Sequence, residues 1–314
     1  MYRYAIRRFI ELHGDLPVVE LNREHLSQFA AKVGGLPRTT RREIMDLPIV
    51  EAIERGNREG IGKIADATRK KHVTALKTMM AHALNEGIVA DDPFAGYRMI
   101  EPRQSAARQS DARVLPFSAD DLNALVSAMK ARGLSTSEDD YWIPYVALYL
   151  GTRQEEACQL ETADIFKKDG IDCMEITDDG EEDKKVKNKS SVRIIPIHPK
   201  LLEMGFLEHV KRSTSNRVFE TLKPDQRGRL GGPYGKRFSR LLRKNAGIED
   251  KRKSFRSFRH TWTDAARNAG IDAEIRMRLA GREFRETGSE AGYGTGHSIP
   301  VLYKALGKVD PFAR

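Results

Sequence analysis

Gly151-Thr-Arg-Gln-Glu-Glu-Ala-Cys-Gln-Leu160 sets an arginine two residues behind a glycine and directly ahead of a short helical pattern. A tight turn at the glycine puts Arg153 at the start of a helix and directs its side chain outward into a cleft. A guanidinium there can fork onto two phosphate oxygens, helped by the helix N-terminus. The competing reading is an ion pair with Glu155 or Glu156 on a solvated helix. Further along, Phe255-Arg-Ser-Phe-Arg-His-Thr-Trp262 spaces Phe255, Phe258 and Trp262 as one apolar helix face, which reads as core. Arg256 and Arg259 share a face at i, i+3, where like charges repel unless an anion, Asp264 or solvent relieves them. His260 reads as a buried, hydrogen-bonded histidine.

Two other stretches carry reactive side chains. Lys184, Lys185, Lys187 and Lys189 form a charge run immediately ahead of strand-like sequence. Such runs are usually solvated turns, yet a turn can lean one ammonium into a groove as a general acid, and position alone does not choose which. Tyr293 stands between Gly292 and Gly294, without the apolar neighbours of a core tyrosine. Its hydroxyl, with an ordinary pKa of about 10, needs surrounding cations before it can act as a nucleophile. A surface loop is the bland alternative.

At 314 residues the chain accommodates two domains. Lysines and arginines number 54 against 45 aspartates and glutamates, a net charge of +9 that favours a polyanionic partner. No apolar run approaches the roughly 18 residues of a membrane span, and Met1-Tyr-Arg-Tyr-Ala-Ile-Arg-Arg8 lacks the apolar segment of a secretory signal. A soluble, intracellular chain is expected. Only two cysteines occur, Cys158 and Cys173, so neither a disulfide framework nor a cysteine metal site is expected.

Polar, proline-flanked, arginine-rich sequence between Arg98 and Pro116 reads as a linker. It divides a helical domain at 1–100 from a second domain at 117–314, with the linker at 101–116. Val73, Leu76, Met80, Ala83 and Leu84 keep a helical period up to a stop near Gly87. Ser118-Ala-Asp-Asp121 has the spacing of a capping box ahead of Leu122, Leu125, Val126 and Met129. Gly170–Thr177 and Ser191–Ile197 are strand-like, a small antiparallel sheet whose turn projects lysines. Helices are predicted around Phe238–Leu242, over Ser257–Asn268 and over Ala273–Ala280. The predicted class is mainly α with a small antiparallel sheet.

Taken together, these motifs resemble the tyrosine recombinase, or phage integrase, family over most of the chain. Gly-x-Arg-x-x-Glu looks like the first arginine box and Phe258-Arg-His-Thr261 like the second, which makes Arg153 and Arg259 the two catalytic arginines. Lys187 aligns with the family's hairpin lysine once Arg193-Ile-Ile-Pro196 is laid on the basic-x-aliphatic-proline that follows it; Lys189 is the fallback. Leu279-Ala-Gly-Arg282 takes the place of Leu-x-Gly-His, and Tyr293 falls where the nucleophile belongs, with Tyr303 as a substitute. Arg256 and Arg282 stand where the family has histidines. Arginine can donate to a phosphate but cannot readily take a proton.

The resemblance implies a helical core-binding domain ahead of a catalytic domain. It also implies a site-specific recombinase that cuts and rejoins DNA through a 3′-phosphotyrosyl bond, with no cofactor and no divalent metal. Double-stranded DNA is the implied partner, a homotetramer on paired sites the implied assembly, and DNA-bending accessory proteins are possible. The segment after Tyr303 is a candidate for docking onto a neighbouring subunit. Localisation would be cytoplasmic, in a bacterial or phage-encoded, nucleoid-associated protein. Two alternatives stay open: a DNA-binding relative without catalysis, and a type IB topoisomerase-like enzyme. The chain also opens within a helical pattern, which leaves room for an arm-binding domain ahead of it.

Overall fold

Apolar residues at helical spacing build the first part of the chain: α1 (Tyr2–His13), α2 (Arg23–Val33), a short α3 (Arg42–Met45), α4 (Ile49–Arg58) and α5 (Asp66–Asn85). The structure, a computed structural model, describes residues 2–99, 113–133, 137–180, 184, 186, 189–283 and 296–313. Two compact units result, Met1–Ala106 and Ala107–Arg314. In the first, Phe9, Leu26, Phe29, Val33, Ile44 and Ile49 pack with Val73, Leu76 and Met80 of α5. Asn22 caps α2 by accepting from Glu24 N at 3.0 Å and His25 N at 3.1 Å. Leu84, expected on the apolar face of α5, is instead 37% exposed, so the buried stripe ends at Ala83.

In the second unit Ser118 and Asp121 form the expected reciprocal cap, Ser118 N donating to Asp121 Oδ2 at 2.7 Å and Asp121 N to Ser118 Oγ at 3.2 Å. They open α6 (Ala119–Gly133), which packs on α7 (Asp139–Leu150). Every residue of α7 except the half-buried Tyr141 is buried. A helix apolar on all sides must lie inside its domain, and the other elements wrap it. The short α8 (Gln154–Cys158) leads into an antiparallel sheet of three strands in the order β1 (Ile165–Lys168), β2 (Ile171–Ile176), β3 (Arg193–Pro196). Pairings such as Phe166↔Cys173 and Met174↔Ile195 fix the register. The sheet therefore has a strand more than the two expected.

After the sheet come α9 (Pro199–Glu203), α10 (Phe206–Arg212), α11 (Gly231–Arg240) with a π-helical turn over Leu241–Asn245, α12 (Arg256–Asn268), α13 (Ala273–Leu279) and α14 (Ile299–Leu306). The expected apolar stripe is seated in the core: Phe255, Phe258 and Trp262 are buried, and Trp262 Nε1 donates to Tyr149 O at 3.1 Å. Cys158 and Cys173 are buried free thiols. The last helix does not stand out as an arm. Its Leu302 and Leu306, with Val309 beyond it, are buried against the unit's own core, and α14 packs on β3 and β2. The segment after Tyr303, expected as a candidate for docking onto a neighbouring subunit, lies here on its own unit, where apolar burial holds it.

Candidate active site

Gly151 ends α7 in the left-handed region at φ 64°, with the Trp262 ring so close that a Cβ would lie 2.6 Å from it. Only glycine combines that backbone with that approach. The reversal makes Arg153 the extended residue ahead of α8. Its backbone N–H donates to Glu156 Oε2 at 2.9 Å, and its guanidinium Nη1 bonds Glu156 Oε1. Arg153 is thus paired as the bland reading required, but not on a solvated helix: the Glu156 side chain is only 3% exposed. Glu155 serves elsewhere, accepting from Leu230 N at 2.8 Å and Gly231 N at 3.0 Å at the start of α11.

The C-terminus of α13 organises the cluster. The last carbonyls of a helix have no partner within it, and here three in succession are met by arginines. Leu279 O accepts from Arg193 Nε at 2.8 Å, Ala280 O from Arg259 Nη2, and Gly281 O from Arg153 Nη2 at 3.0 Å. Arg259 also donates to Gly151 O at 2.9 Å, and Arg153 to Ser191 Oγ at 3.0 Å. The carbonyl end of a helix favours cations. Gly281 adopts φ 57° with the Arg193 guanidinium lying where a Cβ would go, so the glycine of Leu279-Ala-Gly-Arg282 is demanded by a side chain from β3.

Charge in this cluster is unbalanced. Burial pushes the Glu156 carboxyl up, but Arg193 and Arg153 outweigh it and hold the group below its ordinary value. Burial, reinforced by Arg153, Arg282 and Arg193 and opposed by Glu156, pushes Arg259 down to about 9, still a cation at neutral pH. Arg282 is lowered as well, by burial and then by Arg153, Arg267 and Arg276. Arg256 is exposed. His260, expected to be buried and hydrogen-bonded, is half-buried. Burial first, then Arg256 and Arg282, press it toward the neutral form.

The structure thus brings together Arg153, Arg259 and Arg282, and leaves Arg256 at the surface of the same helix as Arg259. Lys187 and Tyr293 lie outside the described residues. Of the fallbacks, Tyr303 is half-buried on α14, and Lys189 opens the short helical turn Lys189–Ser191. Lys184 is removed from the candidates: it is buried, with Nζ 2.7 Å from Asp164 Oδ1 and 3.2 Å from Glu161 Oε2. A buried ammonium held by two carboxylates anchors its segment rather than leaning into a groove. Among the described residues no group of three or more His, Cys, Asp or Glu could hold a metal ion, and no helix is long and apolar enough to cross a membrane.

Arg193 and Glu156 are the members of the cluster that sequence reasoning did not single out as site residues. Glu156 appeared only as a pairing partner and Arg193 only as the flank that aligned Lys187. The signal for both was charge at a position where the pattern is apolar. Arg193 opens a strand whose Ile195 is buried, and Glu156 precedes buried Ala157 and Cys158.

No protein-family model and no curated protein matches the chain. Solved structures do. The Tn1549 transposon integrase in complex with transposon right end DNA superposes with a TM-score of 0.58 at 16% identity, over 96% of this chain and 86% of that one. A lambda integrase dimer bound to a core site gives 0.54 at 14% identity, over 100% and 88%. The site-specific recombinase XerH, in a post-cleavage complex with a palindromic difH substrate, gives 0.50 at 16% identity, over 83% and 66%. With its mainly helical architecture and three-stranded antiparallel sheet, the chain has the fold of these integrases and site-specific recombinases.

Proposed function

We propose that the chain is a tyrosine-type site-specific DNA recombinase, an integrase that cuts and rejoins DNA strands through a 3′-phosphotyrosyl intermediate. The observation that carries this reading is the crowding of Arg153, Arg193 and Arg259 around one buried carboxylate, with Arg282 beside Arg153 and Arg259. Like charges so placed are relieved by a bound anion, and a DNA phosphate is the anion that the basic chain and the DNA-bound proteins of the same fold favour. The first unit, helical and rich in arginine and lysine, would grip the duplex as a core-binding domain.

In the reaction, the Tyr293 oxygen attacks the phosphorus in line and loses its proton to water. Arg153, Arg259, Arg256 and Arg282 neutralise the non-bridging oxygens. Lys187 gives a proton to the departing 5′ oxygen. Attack by a 5′ hydroxyl of another strand then releases the tyrosine and reseals DNA, so the bond energy is conserved and no nucleotide triphosphate is consumed. A homotetramer on paired sites follows from the need to exchange strands, with DNA-bending accessory proteins as further partners. Since Arg256 and Arg282 cannot accept the phenolic proton, a slow cleavage step is expected.

The test is capture of a covalent adduct from a pool of nicked, end-labelled duplexes of randomised sequence, under denaturing conditions. An adduct that disappears in Tyr293→Phe supports the reading. Tight DNA binding without an adduct would identify a binding-only relative, and relaxation of supercoiled plasmid without sequence preference a type IB topoisomerase-like enzyme.

A further inference from the structure

Glu156 divides its two oxygens between two guanidiniums. Oε1 takes Arg153 Nη1, while Oε2 takes the Arg153 backbone N–H at 2.9 Å and Arg193 Nη2 at 3.0 Å. The side chains of Glu156 and Arg193 are 3% and 5% exposed, whereas that of Arg153 keeps 25%. Arg193 is committed to the protein on its other sides, through Nε to Leu279 O at 2.8 Å and Nη1 to Ser191 O at 2.7 Å. It cannot touch DNA without leaving this seat. A buried carboxylate facing Arg153 alone would cancel much of the charge that Arg153 presents, because a low-dielectric interior strengthens the attraction.

We propose that Arg193 is a positioning residue: by taking one oxygen of Glu156, it lets that carboxylate orient Arg153 without neutralising it toward a phosphate. This rests on the reading that Arg153 and Arg259 face a phosphate. The division of labour is then definite. Glu156 aims Arg153, Arg193 balances Glu156, and the Leu279 carbonyl keeps Arg193 from following the phosphate. Arg153 and Arg259, both half-buried, remain as the cations left to a phosphate.

The experiment titrates inorganic phosphate into the full chain by calorimetry and compares wild type with Arg193→Gln, Arg193→Lys and the double variant Arg193→Gln/Glu156→Gln. Expected is at least a 5-fold weaker Kd in Arg193→Gln, with recovery to within about 2-fold of wild type in both the lysine and the double variant. The double variant also removes the unpaired buried carboxylate, so it remains interpretable should Arg193→Gln fold poorly. A merely structural arginine predicts the opposite, namely loss in the double variant too, because the bond to Leu279 O is still missing; that result overturns the proposal, as does an unchanged Kd in Arg193→Gln. Failure of wild type to bind phosphate removes the shared premise and overturns both this inference and the phosphate reading. A wild type that binds phosphate but forms no DNA adduct counts against catalysis alone.

Discussion

Each unit encloses an arginine completely or nearly so, and the two are used differently. In the first unit Arg8 is 0% exposed and bonds Glu11 Oε2 at 2.7 Å, Tyr4 Oη at 3.0 Å and the carbonyls of Met45 and Leu47 at the end of α3. Glu11 in turn accepts from Ile49 N at 2.9 Å, so the pair staples the α3–α4 turn to α1. In the second unit Arg193, Arg259 and Arg153 bond the carbonyls at the end of α13 in the same way. Both sites exploit orphan helix carbonyls. The difference lies in charge: around Arg8 two arginines meet two carboxylates, Arg7 lying 3.4 Å from Glu11 Oε1 and 3.9 Å from Asp46 Oδ1, whereas several arginines meet one carboxylate around Glu156. Burial of an arginine therefore signals structure, and an uncompensated surplus of them signals a ligand.

The comparison breaks most readily at Arg8. Replacing it with methionine strips the Leu47 carbonyl of its donor and leaves the Met45 carbonyl and Glu11 with Arg7 alone of the two arginines, which should cost about 3 kcal/mol of stability. Urea unfolding would register this, while phosphate affinity of the folded protein stays at the wild-type value. A cost below about 1 kcal/mol would mean that Arg8 is no staple. Arg259→Ala should behave in the reverse manner. Its removal is expected to slow adduct formation by about 10²–10³-fold and to cost only about 1 kcal/mol of stability per hydrogen bond lost. Stability loss matching that of Arg8→Met, with the cleavage rate unchanged, would make Arg259 a second staple and erase the contrast.

Gly281 sharpens the comparison at a smaller scale. Alanine there would meet both a φ of 57° and the Arg193 guanidinium, at a cost of about 1–3 kcal/mol for the backbone alone. Because the displaced group is Arg193, the variant should also weaken phosphate binding, and a melting scan paired with a phosphate titration would read both. Lost stability with phosphate affinity intact would show that the turn and the charge cluster are independent.

Arg153 and Arg259 were legible because each sits in a local pattern, a turn glycine before a helix and an apolar stripe along one. The mainly helical class with a small antiparallel sheet was legible for the same reason. Arg193 was not, since its defining contact, Leu279 O, lies 86 residues away. Lys184 reads as one more lysine in a run, and nothing local announces that Asp164 and Glu161, 20 and 23 residues earlier, will enclose it. The missing strand β1 did leave a signal: Asp169 and Gly170, joining β1 to β2, both take positive φ of 53° and 76°, and Asp-Gly is the dipeptide that favours such a hairpin turn. The tail offered only an apolar spacing at Leu302, Leu306 and Val309, which says that a surface will be covered and not whose.

That seat provides the mildest of the expected effects. His198 Nδ1 accepts from Lys200 N at 3.0 Å, so its proton is on Nε2, which lies 3.0 Å from Val309 O and donates to it. The ring packs on Tyr149 at 4.8 Å. Burial lowers the His198 pKa, with the Val309 carbonyl and Asp310 pulling the other way. A depressed folded value means that the unfolded chain takes the proton first. Stability from this contact is therefore whole above the ordinary histidine value of about 6.5 and is lost as pH falls through the folded value. Amide exchange over 299–309, corrected for its intrinsic pH dependence, should speed up between about pH 7.5 and 5.5 in wild type and stay level in His198→Gln, whose amide can still donate to Val309. Equal protection at both pH values in wild type would show that apolar burial of Leu302, Leu306 and Val309 holds the tail without the histidine, and that charge governs the arginine cluster but not this helix.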